Sequence, residues 1–282
     1  MMARIDMVLA RVHNCVSHMD ARCLLSYVLG RPTAWCVAHQ EALLDQDQLA
    51  SFEALVQRRQ QGEPIAYLIG RRGFWTFELE VSPATLIPRP ETETLVESVL
   101  AQAPLHVPLR LADLGTGSGA IALALASERP QATVVATDRS QTALAIANAN
   151  RQRYGLTNIC FRQGDWCEPL RGETFDVIAS NPPYVAASDP HLLQGDIRFE
   201  PQLALVGGSD GLDPIRFLAI QAVQHLRPGG WLMLEHGWDQ GAAVRSVLRA
   251  AGWEAVQTRC DLEQRERVTI GARPRERTYD GD

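Results

Sequence analysis

The sequence predicts an α/β protein: a mostly parallel seven-stranded sheet with helices on both faces, preceded by a small all-helical N-terminal domain. Three observations carry that expectation. Beyond Pro108, short β-branched runs alternate with helical stretches through short loops. Before residue 72, apolar residues recur at helical spacing. Between them, SPATLIPRPETE places three prolines in nine residues and marks a change of organisation.

The elements follow in chain order. ARCLLSYVLG closes at Gly30 with Pro32 just beyond, as helices commonly do. DQDQLASFEALVQRRQQG opens on acids, spaces Leu49, Phe52, Leu55 and Val56 helically, carries Arg58 and Arg59 late, and stops at Gly62; both charge placements suit the helix dipole. FWTFELEV (74–81) alternates enough to predict a short strand pair, with Phe74, Trp75 and Phe77 expected to pack between domains. A helix is expected from near Pro90, with Glu91 and Glu93 in its first turn. The expected division is therefore a helical domain over 1–72, a strand pair and Pro-rich linker over 73–90, and an α/β domain over 91–282.

In that last part, LRLADLG (109–115), ATVVATD (132–138), NICFRQGD (158–165), FDVIAS (175–180), WLMLEHG (231–237), WEAVQTR (253–259) and ERVTIGAR (266–273) read as strands. GAIALALASE, SQTALAIANANRQRYG, DPIRFLAIQAVQHLRPGG and DQGAAVRSVLRAAG read as helices, the third stopping at Pro228-Gly229-Gly230. Crossovers should be right-handed, and the last strand needs no helix before it. The final RPRERTYDGD is polar and expected to fray.

Composition excludes several function classes. The 282 residues are 46% hydrophobic and 21% charged, with a formal net charge of −6. All 27 basic residues are arginine, which excludes Schiff-base chemistry and a P-loop lysine. The acidic balance speaks against a protein that coats duplex nucleic acid. Six cysteines form no C-x-x-C pair and suit no zinc module, so reduced thiols are expected. The N-terminus lacks a leader pattern, and no window approaches the ~18 uninterrupted apolar residues of a membrane span, so a soluble, cytoplasmic protein is expected.

Three constellations carry chemistry. Asp113-Leu114-Gly115-Thr116-Gly117-Ser118-Gly119 leaves a strand and opens a helix, where glycines allow a tight turn and close ligand approach. Read as G-x-G-x-x-A at 115, 117 and 120, it matches a dinucleotide pattern. Read as D-x-G-x-G-x-G, it resembles the methionine-binding loop of class I S-adenosylmethionine methyltransferases. Asp138 ends the second strand, where an acid accepts from ribose hydroxyls in either kind of site; Ser140 is free to cap the next helix. Asn181-Pro182-Pro183-Tyr184 follows the fourth strand at the carboxyl edge of the sheet. Its prolines stiffen the loop and remove N–H donors, leaving carbonyls and the Asn181 oxygen as acceptors, with the Tyr184 ring as a flat face. That set suits a planar –NH₂ on an sp² carbon.

FWTFELEVSPATLIPRPETE, DLGTGSGAIALALASERP, SNPPY, DPHLLQGDIRFEP and LEHGWDQG together closely resemble the bacterial release factor glutamine methyltransferase family, over nearly the whole chain. The resemblance implies a class I methyltransferase (Rossmann-like) fold, S-adenosyl-L-methionine as cofactor, and protein methylation in translation termination. The substrate would be the glutamine of the Gly-Gly-Gln loop in class 1 peptide chain release factors, with no direct nucleic acid, membrane or metal. Carried over by motif, Gly115, Thr116, Gly117, Ser118 and Gly119 hold the methionine end, Asp138 the ribose, and Trp166 the adenine. Asn181, Pro182, Pro183 and Tyr184 bind the glutamine amide, with Asn181, Pro182 and Tyr184 as catalytic residues and Asn181 also bordering the cofactor. The helical domain becomes the substrate-recognition domain. The same motifs leave open a ribosomal-protein glutamine target or amino-methylation of nucleic acid. A nicotinamide oxidoreductase would leave NPPY without a purpose, and a non-catalytic release-factor-binding module would not need it intact. Arg198, Glu200 and Pro201 shape a substrate mouth or brace a loop; His236 is expected to be a structural hydrogen-bonding residue; Pro88 to Glu91 cover the cofactor or merely link.

Overall fold

The computed structural model describes residues 2–275, so most of the polar end expected to fray lies outside the described residues. The chain divides into two compact units. One comprises the residues up to Arg71 together with Leu193–Phe199; the other runs from Arg72 to Leu192 and from Glu200 onward.

The first unit holds a two-residue antiparallel pair, β1 (Ala3–Arg4) with β2 (Leu43–Leu44), and five helices: α1 (Ile5–Val12), α2 (His18–Leu29), α3 (Thr33–Ala38), α4 (Gln46–Gln60) and α5 (Ile65–Ile69). Ser17 caps α2 by accepting from Asp20 N, and Gly30 ends it at φ 60°. Asp45 and Gln48 form a reciprocal capping box on α4. Ile5, Leu24, Leu25, Leu44 and Phe52 fill the core. Within this unit, Arg59 Nε bonds Asp20 at 2.9 Å and its Nη1 bonds Asp196 at 2.6 Å. Arg198 donates to the Gln61 carbonyl, and its guanidinium lies where a Cβ on Gly62 would stand. The segment Leu193–Phe199 thus takes its partners from α4 although it is distant in sequence.

The second unit opens with a hairpin of β3 (Arg71–Phe74) and β4 (Phe77–Glu80), turning at Trp75 with φ 55°. A 3₁₀ turn at Pro90–Thr92 then leads into α6 (Glu93–Gln102). The main sheet contains β5 (Arg110–Leu114), β6 (Thr133–Asp138), β7 (Ile159–Gln163), β8 (Phe175–Ser180), β9 (Leu226–Glu235), β10 (Glu254–Cys260) and β11 (Glu266–Ala272) in the order β10-β11-β9-β8-β5-β6-β7. Its pairs are parallel except those made by β11, which inserts antiparallel between β9 and β10. The connecting helices are α7 (Ala120–Glu128), α8 (Gln141–Arg153), α9 (Asp213–Gln221) and α10 (Gly241–Ala250).

Strand periodicity builds the layers. Leu111, Val134, Ala136, Val177 and Ala179 face one core, shared with α6 and α7. Their neighbours Ala112, Leu114, Val135 and Ile178 face the other, shared with α9 and α10. Both faces are therefore buried, which is why these strands read as apolar runs.

One expectation is corrected. The helix from Asp213 ends at Gln221, passes through a 3₁₀ turn, and yields to β9 at Leu226, so Arg227-Pro228-Gly229-Gly230 lies inside a strand. Gly229 takes φ 78°, Gly229 N donates to Arg273 O, and Arg273 N donates to Gly230 O; a bulged strand, not a helix stop, uses these residues. Within the second unit, Phe74 joins the core, Trp75 Nε1 donates to Glu128 at 2.8 Å, and Phe77 meets the Tyr154 ring edge-on at 4.6 Å. Among the described residues, no helix is long and apolar enough to cross a membrane.

Asn150 holds the hairpin to the glycine loop. Fully buried on α8, it accepts from Glu80 N at 2.7 Å and donates to Glu80 O at 3.0 Å and Ser118 O at 2.9 Å. Replacing it removes the partner of three backbone groups, of which Ser118 O is buried. Asn150→Ala should lower unfolding free energy by about 1–3 kcal/mol, measured by denaturant titration; unchanged stability would show the tie to be dispensable.

Candidate active site

Register places three site residues side by side. Leu114 on β5 pairs with Thr137 on β6 and with Ser180 on β8. The next residue of each strand, Gly115, Asp138 and Asn181, therefore emerges at the same sheet edge. β5 is also where strand order reverses, the position at which open α/β sheets form a crevice.

The crevice is a cavity of about 230 Å³ inside the second unit. Gly115, Thr116, Gly117, Ser118, Asp138, Trp166, Asn181 and Pro183 line it; Gly119, Pro182 and Tyr184 do not. Gly115, Gly117 and Gly119 all have positive φ, at 75°, 55° and 87°. Gly119 serves packing: a Cβ there would stand 2.6 Å from Leu123 Cδ1 and 3.1 Å from Ala147 Cβ. At Gly117 a Cβ would meet nothing within 4 Å, because it would project into open space. A Cβ on Gly115 would lie 3.4 Å from the Trp166 indole, narrowing the slot beside that ring.

The loop's own amides are largely spent inside the protein. Gly115 N and Thr116 N both donate to Thr137 O, Gly119 N to Thr116 O, and Gly117 N to Asp138 Oδ2 at 2.9 Å. The loop consequently offers room and shape more than donors. Beneath it, Asp113 is fully buried, accepting from Thr116 Oγ1 at 2.6 Å and Ala122 N at 3.2 Å, with Oδ1 unpartnered. Burial pushes its carboxyl up to about 7 against those hydrogen bonds.

Asp138 is less free than the sequence suggests. Ser140 does cap α8, its Oγ accepting from Ala143 N at 3.2 Å, but Asp138 Oδ1 also accepts from Ser140 N at 2.8 Å. Each carboxylate oxygen keeps further lone-pair capacity toward the cavity. Trp166 stands at φ 47°, its carbonyl held by Thr137 Oγ1 at 3.0 Å.

In the NPPY loop, Asn181 Nδ2 donates to Thr92 Oγ1 at 3.1 Å, which turns Asn181 Oδ1 away from that partner as an acceptor. Pro182 is buried. The Tyr184 hydroxyl donates to Glu235 Oε1 at 3.3 Å, and its carbonyl accepts from Gln240 Nε2 at 2.9 Å. The expected flat Tyr184 face is thus a side chain anchored at its far end, its hydroxyl pushed up by burial and by the Glu235 charge.

Of the remaining lining residues, the sequence raises Pro88, Arg89 and Pro201, while Ala84, Thr85, Leu86, Thr92, Leu203 and Ala204 escape it. Ala84, Thr85, Leu86, Pro88, Arg89 and Thr92 form one wall, and Pro201, Leu203 and Ala204 another. Glu200 joins the two walls: its buried carboxylate pairs with Arg89 and accepts from Ile87 N at 3.0 Å. An acid does brace this loop, but its arginine is Arg89, while Arg198 turns to Gln61. The three prolines near 88 were the available signal; nothing in the sequence pairs Arg89 with Glu200. Glu235, fully buried at the end of β9, is pushed up to about 7 by burial, against Thr92, Arg267 and Tyr184. Beside it, His236 bonds Gly237 O and Thr269 Oγ1, both at 2.8 Å, and burial pushes its pKa down, as suits a neutral structural imidazole.

Comparison with known proteins is consistent along the chain. The family model for the methyltransferase small domain matches residues 91–195, and that for the PrmC N-terminal domain matches 17–70. The chain is 57% identical over 267 residues to release factor glutamine methyltransferase of Xylella fastidiosa (strain Temecula1), covering 95% of this chain and 97% of that one. It is 50% identical over 252 residues to the protein of the same name from Escherichia coli (strain K12), covering 89% and 91%. Among solved structures, a methyltransferase from Pyrococcus furiosus shares the fold with a TM-score of 0.54 at 19% identity, covering 79% of this chain and 98% of that one. With this identity extending over about nine-tenths or more of the chain, the chain belongs to the release factor glutamine methyltransferase family.

Proposed function

We propose that this protein transfers a methyl group from S-adenosyl-L-methionine to the side-chain amide nitrogen of the Gly-Gly-Gln glutamine in class 1 release factors, acting in the cytoplasm. The observation that carries the reading is Asn181, whose amide nitrogen is engaged by Thr92 so that its oxygen is left as an acceptor beside the glycine loop.

The cavity fits the cofactor: it has an open approach at Gly117, a slot between Gly115 and Trp166, and a carboxylate at Asp138. Gly115 to Gly119 would hold the methionine end, Asp138 the ribose hydroxyls, and Trp166 the adenine. When bound, the cofactor supplies an activated sulfonium methyl. The chain's residues must then orient a poor nucleophile. An amide lone pair is delocalised, as the ~18–20 kcal/mol rotation barrier records. Asn181 Oδ1 and the Pro183 carbonyl would accept the two –NH₂ hydrogens and orient the nitrogen for transfer. The same acceptors stabilise positive charge as it develops on nitrogen. Tyr184, tied to Glu235, keeps this loop in place. The first unit carries selectivity, because any surface glutamine presents the same –NH₂.

Incubation of a purified release factor with protein and cofactor should add one methyl to the Gly-Gly-Gln glutamine, located by tandem mass spectrometry; methyl on another residue, or none, would defeat the reading. Asn181→Ala should cut turnover on the order of 100-fold with calorimetric cofactor affinity within a few-fold, and near-normal single-turnover rates would remove Asn181. Asp138→Ala should weaken cofactor binding by about 1.5–3 kcal/mol and also lower the melting temperature, since it releases Gly117 N and Ser140 N; unaltered affinity would take Asp138 out of the site. A chain beginning at Gly70 should still bind cofactor yet methylate intact release factor far more slowly. Full-length rates from it would place recognition in the second unit.

A further inference from the structure

We infer that Gln240 is a positioning residue for methyl transfer, holding the NPPY loop by the Tyr184 carbonyl so that the acceptors at Asn181 and Pro183 keep their place at the cavity; this rests on the amide-nitrogen reading above.

The rings of Pro182 and Pro183 fix φ at both positions, so only ψ torsions remain between the Asn181 and Tyr184 Cα atoms. What holds the two ends of this stretch therefore places its acceptors. At the first end, Ser180 pairs with Leu114 in the ladder, and Asn181 Nδ2 donates to Thr92 Oγ1. At the second, the Tyr184 hydroxyl donates to Glu235 Oε1 at 3.3 Å, and the Tyr184 carbonyl accepts from Gln240 Nε2 at 2.9 Å. The peptide carrying that carbonyl also donates from Val185 N to Leu205 O at 2.9 Å, so Gln240 completes the hold on it.

The contact is built from several sides. Gln240 Oε1 accepts from Gly237 N at 2.8 Å, which fixes the sense of the amide: reversed, it would set Nε2 against that N–H and Oε1 against the Tyr184 carbonyl. Gln240 N donates to Gly237 O and its carbonyl accepts from Val244 N, both at 3.0 Å, so its backbone is held by the turn after β9 and by the start of α10. Residue 240 is the N-cap of α10, where Ser, Thr, Asp or Asn would bond the open N–H groups of the helix. Gln240 makes no such bond, and its side chain goes to the loop instead. Gly211, at φ 78°, leaves room for it: a Cβ there would collide with Tyr184 O and stand 2.7 Å from Gln240 Nε2. A Cβ on Gly207, in the same segment, would stand 2.5 Å from Pro183 O. Two successive carbonyls of the loop thus each meet a glycine where a methyl would clash. Without the Gln240 bond, the Tyr184 peptide can pivot about its remaining bond to Leu205, carrying the Pro183 carbonyl with it. Transfer loses rate steeply when the reacting atoms are misplaced. The glycine loop, Asp138 and Trp166 are not part of this tie.

The test compares wild type, Gln240→Glu, Gln240→Met and Gly207→Ala in methyl transfer to a purified release factor, with calorimetric cofactor titration and thermal melting of each. An ionised glutamate keeps the length and the acceptor for Gly237 N but brings no proton to Tyr184 O; methionine keeps the length and brings neither. A residue that only fastens the turn after β9 would tolerate glutamate, whereas one that positions the NPPY loop would not. Both Gln240 variants should lower kcat roughly 10-fold or more, with KM for the release factor and cofactor affinity within a few-fold, and Gln240→Glu should melt close to wild type. Gly207→Ala, which crowds Pro183 O and leaves Gln240 intact, should give the same split between kcat and KM. Wild-type kcat in Gln240→Glu overturns the inference, as does a loss of cofactor affinity in step with kcat. If Gln240→Glu does not fold, Gln240→Met and Gly207→Ala decide by the same split. A wild type that methylates no release factor defeats the amide-nitrogen reading and the inference with it; an active wild type with unaffected variants overturns the inference only.

Discussion

The reversal of strand order at β5 is the constraint on which the site depends. The chain builds β5, β6 and β7 outward in one direction, then returns to lay β8 and β9 on the opposite flank. Two loops leaving neighbouring strands thereby diverge, and no crossover helix can cover the gap between them. Ladder register makes the gap specific: Leu114, Thr137 and Ser180 are matched across three strands, so the residues after them share one edge. Ser180 Oγ bonding Leu114 O at 2.7 Å and Gly115 N bonding Thr137 O at 2.9 Å lock that alignment at its last residues.

The two loops meeting there are acceptor-rich, for different reasons. The proline loop has no amide protons at two successive positions. The glycine loop has them but consumes most internally, through Thr137 O, Thr116 O and Asp138. From these loops and the end of β6, the Asp138 carboxylate and the Asn181 oxygen meet the cavity beside an indole face, while Arg89, paired with Glu200, and Arg139 line it as well. The acceptors suit a partner that brings N–H donors. A glycine loop that spends its amides internally offers a pyrophosphate few of the free N–H groups it needs.

Much of this was legible before any coordinates, because it is local. Glycine at 115, 117 and 119, the Asp ending β6 and the Pro-Pro after β8 each follow from backbone restrictions that act within a few residues. The helix caps at Gly30 and Asp45 are local too. What escaped is non-local. Glu200 reaches Arg89 across more than a hundred residues, Asn181 finds Thr92 from an earlier turn, and Leu193–Phe199 takes its partners from α4. The Pro-Gly-Gly after Leu226 misled for a related reason. A helix stop and a bulged strand want the same residues, and pairing with β8 and Arg273, absent from a single-chain reading, decides between them.

The buried carboxylates make the same point in energetic terms. Asp113 and Glu235 both sit fully buried with one oxygen unpartnered, and burial lifts both to about 7. Their folded-state values exceed their unfolded ones, so the stability they contribute is complete in acid and is lost as pH rises toward and through 7. Asp261 and Glu173, held below the ordinary carboxylate range, act in the opposite sense and support the fold as pH rises. Near neutrality the fold therefore carries two interior acids that weaken it. Each one takes a hydroxyl beside the site: Asp113 accepts from Thr116 in the glycine loop, and Glu235 accepts from Tyr184 at the end of the NPPY loop. Packing would be served as well by apolar side chains of similar size. Orientation would not, because only an acceptor without a proton compels a hydroxyl to donate in one direction.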